Sequence, residues 1–359
     1  MEVSFAREIE SLRLPAGQPF HGEGILAITK ALLQSGVAYV GGYQGAPVSH
    51  LLDVMVQARG YLDTLGVHVE ACTNEASAAT MLGASINYPA RGAVTWKSIV
   101  GTNVAADALS YLASAGVMGG TLIVLGEDYG EGGVVAQERS HAFALKSLMW
   151  LLDPRPNLAK IVELVERGFE LSEASNTPVM MELRIRACHA RGSFTAKKNL
   201  SPALSTRHKL DGPPKEFIYD RLAHPPATFR QEKLKSEVRL PAARRFIAEH
   251  RLNEVFPGEH GELGIIVQGG LHNGLVAALR TFGLADVFGH RRAQLCDHAR
   301  DRVLPLDHRR TPLGQRERQP QAVAFLHGNV GEARPDTEER VVARVEREDV
   351  GTPVQHDRG

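Results

Sequence analysis

Four stretches of the chain hold residue types that can do chemistry. The first is Gly41-Gly42-Tyr43-Gln44-Gly45-Ala46-Pro47-Val48-Ser49. A glycine-rich turn feeding a helix N-terminus offers free backbone N–H groups and a positive dipole. An anion such as a 2-oxo acid carboxylate can sit there. The pattern is neither GxGxxG nor a Walker A loop, and it equally suits a tight βα turn whose glycines serve close packing. The second is Asn74-Glu75, followed by the small residues Ala76-Ser77-Ala78-Ala79. Small residues let a backbone, a subunit or a flat ring approach closely. The same Asn-Glu pair also suits a plain helix cap, with Glu complementing the dipole. The third is Thr95-Trp96-Lys97-Ser98 through Asn103. It falls at the C-terminal end of an expected strand, where ligands bind in open α/β sheets. Lys97 there either meets an anionic substrate or is a solvated strand-end lysine. The fourth is Glu127-Asp128, leaving a buried strand for a Gly-rich loop that runs on to Gln137-Glu138-Arg139. Such a pair suits a lid or a partner contact, although surface acid pairs are common. The chain carries no HExxH, GxSxG, HxE…PCxxC or kinase signature.

These stretches need a scaffold, and the hydrophobic pattern supplies one. Helices are expected at 22–35, 47–62 (with Pro47 as the first helical residue), 74–86, 103–115 and 157–175. Strands are expected at 37–40, 67–71, 92–97, 120–126 and 179–186. Strands alternating with helices imply βαβ units, hence an α/β fold with a mostly parallel sheet flanked by helices. The stretch from His189 to Glu237 is polar and broken by prolines, as in a linker. A helix at 240–253 then leads to a second βα unit: strand 263–268, turn Gly269-Gly270 and helix 273–282.

The 359 residues suggest two domains. Lysine plus arginine equals aspartate plus glutamate, 41 each, so no basic footprint points to nucleic acid or a membrane surface. No run of about 18 apolar residues occurs. Cys72, Cys188 and Cys296 are isolated and odd in number, which argues against a disulfide framework and for a reducing, cytoplasmic setting. The pattern changes near Gly289. Residues 290–359 contain no lysine and one aromatic, Phe325, among dense arginines. Out-of-frame reading of GC-rich DNA gives such a composition. A poorly ordered tail is expected, with a short helix near 337–348.

In the same chain order, the four stretches resemble the N-terminal part of the indolepyruvate ferredoxin oxidoreductases, thiamine-diphosphate-dependent enzymes of the 2-oxoacid:ferredoxin oxidoreductase family. The family's Gly-Tyr-Pro-Gly-Thr-Pro-Ser-Ser is similar to Gly42-Tyr43-Gln44-Gly45-Ala46-Pro47-Val48-Ser49. Its Asn-Glu opening a small-residue helix matches Asn74-Glu75. Its Lys…Gly-x-Asn-Val-Ala-Ala-Asp matches Lys97, Gly101 and Asn103-Val104-Ala105-Ala106-Asp107. Its acidic strand end resembles Glu127-Asp128, and its Pro-Val…Arg-x-x-His resembles Pro178-Val179 through Arg186 and His189. The resemblance covers residues 20–289.

What the resemblance implies is specific. Residues 1–20 would be an N-terminal arm, 21–200 a pyrimidine-binding domain, 201–239 a linker, and 240–289 an incomplete transketolase-C-terminal-like domain. Glu75 would be the catalytic carboxyl, bonded to N1′ of the thiamine aminopyrimidine. Gly42, Gly45, Pro47, Asn74 and Asn103 would line the cofactor, and Lys97 and Ser49 the substrate. The activity implied is oxidative decarboxylation of aryl 2-oxo acids such as indolepyruvate to acyl-CoA, with ferredoxin as acceptor and coenzyme A taking the acyl group. Ala46 replaces the family's Thr, Gln44 a Pro and His50 an acid. The Gly-Asp-Gly…Asn segment that holds Mg2+ and the diphosphate does not occur in the chain, nor does the cysteine-rich segment for 4Fe-4S clusters. Thiamine diphosphate would therefore occupy a shared site in an oligomer, completed by a diphosphate-binding domain or subunit. The alternative expectation is a truncated, catalytically silent chain that folds and associates.

Overall fold

A computed structural model describes residues 4–128, 136–137, 139–205, 218–256, 258, 260–284, 288–292 and 323–324. Most of the expected tail, Cys296, Tyr129 and Glu138 lie outside the described residues.

An arm carries α1 (Ala6–Leu12) and β1 (Pro19–Glu23), then α2 (Gly24–Gln34) leads to β2 (Tyr39–Gly42). Next come α3 (Ser49–Gln57), α4 (Arg59–Leu65), β3 (His68–Ala71), α5 (Glu75–Met81) and α6 (Ala84–Asn87). β4 (Gly92–Lys97), α7 (Ser98–Ala115), β5 (Thr121–Glu127), α8 (His141–Ser147) and β6 (Trp150–Leu152) follow. α9 (Leu158–Ser175), β7 (Val179–Arg184), α10 (Ile185–Cys188) and β8 (Arg191–Thr195) complete this part. Six strands form one parallel sheet in the order β3-β2-β4-β5-β7-β6. Helices cover both of its faces, as a parallel sheet requires.

The two-residue period of each strand sorts its side chains between two cores. Val40, Ala93, Leu122, Val124, Val179 and Met181 pack with α2, α3 and α9. Tyr39, Val94, Trp96, Ile123, Leu125 and Met180 pack with α5, α7 and α8 on the other face. α9 shows how the sequence builds this. Ile161, Leu164, Val165 and Phe169 recur at helical spacing and are buried, while Glu163, Arg167 and Glu170 pair along the outside. Asn157 caps the helix by accepting from the Lys160 N–H at 3.0 Å, and Asn176, at φ 49°, ends it.

Several element boundaries differ from the sequence expectation. The single helix at 47–62 is two, α3 and α4, with a break at Ala58 that lets Leu52 and Leu62 reach one core. Pro47 is not the first helical residue, because α3 starts at Ser49 with Val48 at its N-cap position. The helix at 74–86 breaks at Leu82-Gly83. α7 starts five residues early, directly after Lys97, so no loop separates β4 from its helix. β7 stops at Arg184, and β6, β1 and β8 had no clear signal because each is short or edge-placed.

The stretch 201–239 is not a bare connection. It contains α11 (Ala227–Leu234) and a π-helical turn at Lys235–Arg239, continuous with α12 (Leu240–Glu249). Arg239 donates to the carbonyls of Ala113, Ser114 and Ala115 at 3.0 Å each and so caps the C-terminus of α7. Beyond α12 come β9 (Glu254–Phe256), β10 (His260–Val267), α13 (His272–Thr281), β11 (Phe288–Arg292) and β12 (Val323–Ala324), whose strands form a second sheet in the order β12-β10-β11-β9.

Candidate functional site

The C-terminal ends of β2, β3, β4, β5 and β7 converge on one edge of the sheet, where parallel α/β sheets place their ligands. Glu75 sits there as the first residue of α5. Asn74 holds the helix start, its side chain accepting from the Ser77 N–H at 2.8 Å. Glu75 is only 6 % exposed. It makes no hydrogen bond or ion pair among the described residues. The room for it comes from Gly101 in the first turn of α7. A Cβ at Gly101 would stand 2.9 Å from the Glu75 Cγ and collide with the Trp96 ring. Trp96 is fully buried and donates to Thr102 Oγ1 at 3.3 Å.

The Tyr43–Val48 loop lies over the ends of β4 and β5. Glycines allow that approach: a Cβ at Gly42 would stand 2.6 Å from the Thr95 carbonyl oxygen, and one at Gly45 2.6 Å from the Lys97 backbone nitrogen. Gly126 likewise leaves room for Pro47. Lys97 closes the group. Its ammonium pairs with Asp128 and donates to the Ala46 carbonyl at 3.3 Å. Gln44 folds back onto α3, donating to Asp53 at 2.6 Å. The structure therefore brings Gly42, Gly45, Pro47 and Lys97 together, and Glu75 with Gly101 and Trp96. Ser49 is half-buried at the start of α3. Asn103 lies on the exposed face of α7, not beside Gly101.

Glu127-Asp128 does not form a surface acid pair. Glu127 is the buried last residue of β5 and Asp128 is tied to Lys97. Glu127 instead belongs to a buried group that sequence reasoning missed, with Glu182, Arg184 and Asp153. Strand periodicity places Ile123, Leu125 and Glu127 on the same face as Met180, Glu182 and Arg184. Burial pushes both carboxyls up, Glu182 well above the carboxylate range, where repulsion from Glu127 and Asp153 adds to burial. The readable signal was an acid inside the otherwise apolar run Val179-Met180-Met181-Glu182-Leu183.

Burial pushes the Cys72 and Cys188 thiols up, which disfavours the nucleophilic thiolate. Among the described residues, no group of His, Cys, Asp and Glu is arranged to hold a metal ion, and no helix is long and apolar enough to cross a membrane.

No family model matches the chain. Curated proteins do. The chain is 27 % identical over 259 residues to "Indolepyruvate oxidoreductase subunit IorA" of Methanothermobacter thermautotrophicus, which covers 72 % of the chain and 40 % of that protein. It is 28 % identical over 271 residues to the protein of the same name from Thermococcus kodakarensis, covering 73 % and 39 %. Among solved structures, a 2-oxoglutarate:ferredoxin oxidoreductase from Magnetococcus marinus shares the fold, with a TM-score of 0.55 at 17 % identity over 77 % of this chain and 54 % of that one. In fold the chain is thus similar to a 2-oxoglutarate:ferredoxin oxidoreductase. In sequence it is similar to proteins named as IorA subunits, and it spans about 40 % of their length.

Proposed function

We propose that the chain supplies the aminopyrimidine side of a thiamine diphosphate site in an oxidoreductase that decarboxylates aryl 2-oxo acids, indolepyruvate first among them. Glu75 carries this reading. A buried carboxyl with no hydrogen bond or ion pair among the described residues suits a ring nitrogen arriving from outside. When bound, thiamine diphosphate supplies an electron sink for the carbon–carbon bond that breaks as CO2 leaves. The residues of this chain orient and protonate. Glu75 would hold a proton against N1′, Asn74 fixes the helix turn that aims Glu75, and Lys97 would offer a cation to the carboxylate of the substrate. The Gly42–Pro47 loop would close over the ring, with Ser49 at its margin; Asn103 would meet the cofactor only from the exposed face of α7.

The diphosphate, Mg2+ and the 4Fe-4S clusters that pass electrons to ferredoxin are assigned to a partner segment or subunit, as is coenzyme A. A second reading is that the chain folds and associates without turnover. One experiment serves both. The chain is combined with a diphosphate-domain partner and assayed on 2-oxo acids with a redox dye, beside Glu75→Gln. The proposal expects activity that falls by about 10²–10⁴-fold in the variant, the range for losing a positioned proton donor. Full activity in Glu75→Gln rejects the role of Glu75, and no activity in any combination favours the second reading.

A further inference from the structure

The turn between β10 and α13 reaches the six-stranded sheet through polar contacts. Arg184 Nη2 donates to Gln268 Oε1 at 2.8 Å. Asp153 Oδ1 accepts from the Gly270 N–H at 2.9 Å. Gly269 and Gly270 have no side chain where one would strike the Asp153 carbonyl and the Arg184 side chain. The turn is thus shaped to the pair it touches. Arg184 Nη2 also lies 3.3 Å from Asp153 Oδ2 and 3.0 Å from Glu182 Oε1. Glu182 is 1 % exposed, and neither of its oxygens has a partner of hydrogen-bonding geometry. The charged groups facing it are Glu127 from β5, Asp153 from the end of β6, Arg184 from its own strand and Arg139 ahead of α8.

We propose that Glu182 is the proton-dependent element of a clasp, in which Arg184 and Asp153 hold the β10–α13 turn against the sheet edge while Glu182 is neutral. The proposal does not rest on the cofactor reading. Ionised, Glu182 would be a further buried carboxylate competing for Arg184, which then serves Gln268 and Asp153 less well. Hydration of that charge requires the turn to lift. Burial and the neighbouring acids hold the proton on Glu182 well above the ordinary range, so the clasp loosens as pH rises.

Hydrogen exchange on the full chain tests this. Exchange of the 264–281 segment is expressed relative to that of α9 in the same sample, which cancels the intrinsic effect of pH. The ratio should rise about tenfold or more from about pH 6 to about pH 9, one pKa unit being a factor of ten. It should stay flat in Glu182→Gln and be high at both pH values in Asp153→Asn. A flat ratio in the unsubstituted chain overturns the clasp even if Glu182→Gln fails to fold. Equal rises in the unsubstituted chain and Glu182→Gln overturn the role of Glu182. Unchanged exchange in Asp153→Asn overturns the polar joint.

Discussion

Glu75 stands where it does because Gly101 has no side chain. Replacing that glycine with alanine pushes a methyl against the Glu75 Cγ and the Trp96 ring. Gly101→Ala should therefore cost about 1–3 kcal/mol, the range for forced overpacking, in denaturant melts. An unchanged melt would show that the close approach does not exist. Lys30 gives a second residue-scale prediction. Its ammonium is fully buried and donates to the Leu12 and Leu14 carbonyls and to Asn199, and burial lowers its pKa to about 8. Between about 8 and the ordinary 10.5 the unfolded chain holds more protons than the folded one. Stability from this group therefore rises with pH across that window and is lost as pH falls through about 8. Lys30→Met should flatten that slope in melts at stepped pH, and an unaltered slope would exclude Lys30 as its source.

At the scale of elements, two helix ends matter most. Asn157 caps α9 through one side-chain acceptor, and Asn157→Ala should lower stability by about 1 kcal/mol. The end of α7 depends on a distant residue. Arg239 reaches it from the π-helical turn, and its guanidinium fills the space beside Gly116, which turns the chain at φ 71°. In Arg239→Ala the three carbonyls lose their donor in a buried setting, a loss of about 1–3 kcal/mol if one group stays dry. Circular-dichroism melts measure it, and a shift within error would mean that water replaces the guanidinium. That cap was not legible in residues 201–239 for a physical reason. Prolines and polar residues mark where helices begin, but not that one arginine beyond them returns to cap a helix over 120 residues earlier.

For the molecule as a whole, Glu182 and Lys30 act on stability in opposite senses. Above the ordinary carboxylate range, the folded chain keeps a proton on Glu182 that the unfolded chain has released. Stability from Glu182 therefore falls as pH rises towards its folded pKa. Glu182→Gln should be the more stable protein at neutral pH, with the difference vanishing near pH 4, and thermal melts at both pH values check it. No gain at neutral pH would mean that the carboxyl is not held neutral in the fold.

Most of the parallel sheet was legible in local text. Leu122-Ile123-Val124-Leu125, short and bounded by Gly120 and Gly126, reads as a strand buried on both faces, and the alternation with helical periods implies βα units. Asn74-Glu75 announced a capped helix start by residue type alone. Short strands such as Trp150–Leu152 were not legible, because three apolar residues carry no period. The tertiary structure alone decided which carboxylates are buried and what they face. Glu127, Asp153, Glu182 and Gln268 are far apart in the chain, and strand order and register make them neighbours. Desolvation and charge repulsion depend on those neighbours, not on residue type. The sequence by itself determined the layers and the position of Glu75 at a helix start; the fold decided that Glu75 is buried, and that Glu127, Asp153 and Glu182 gather around Arg184.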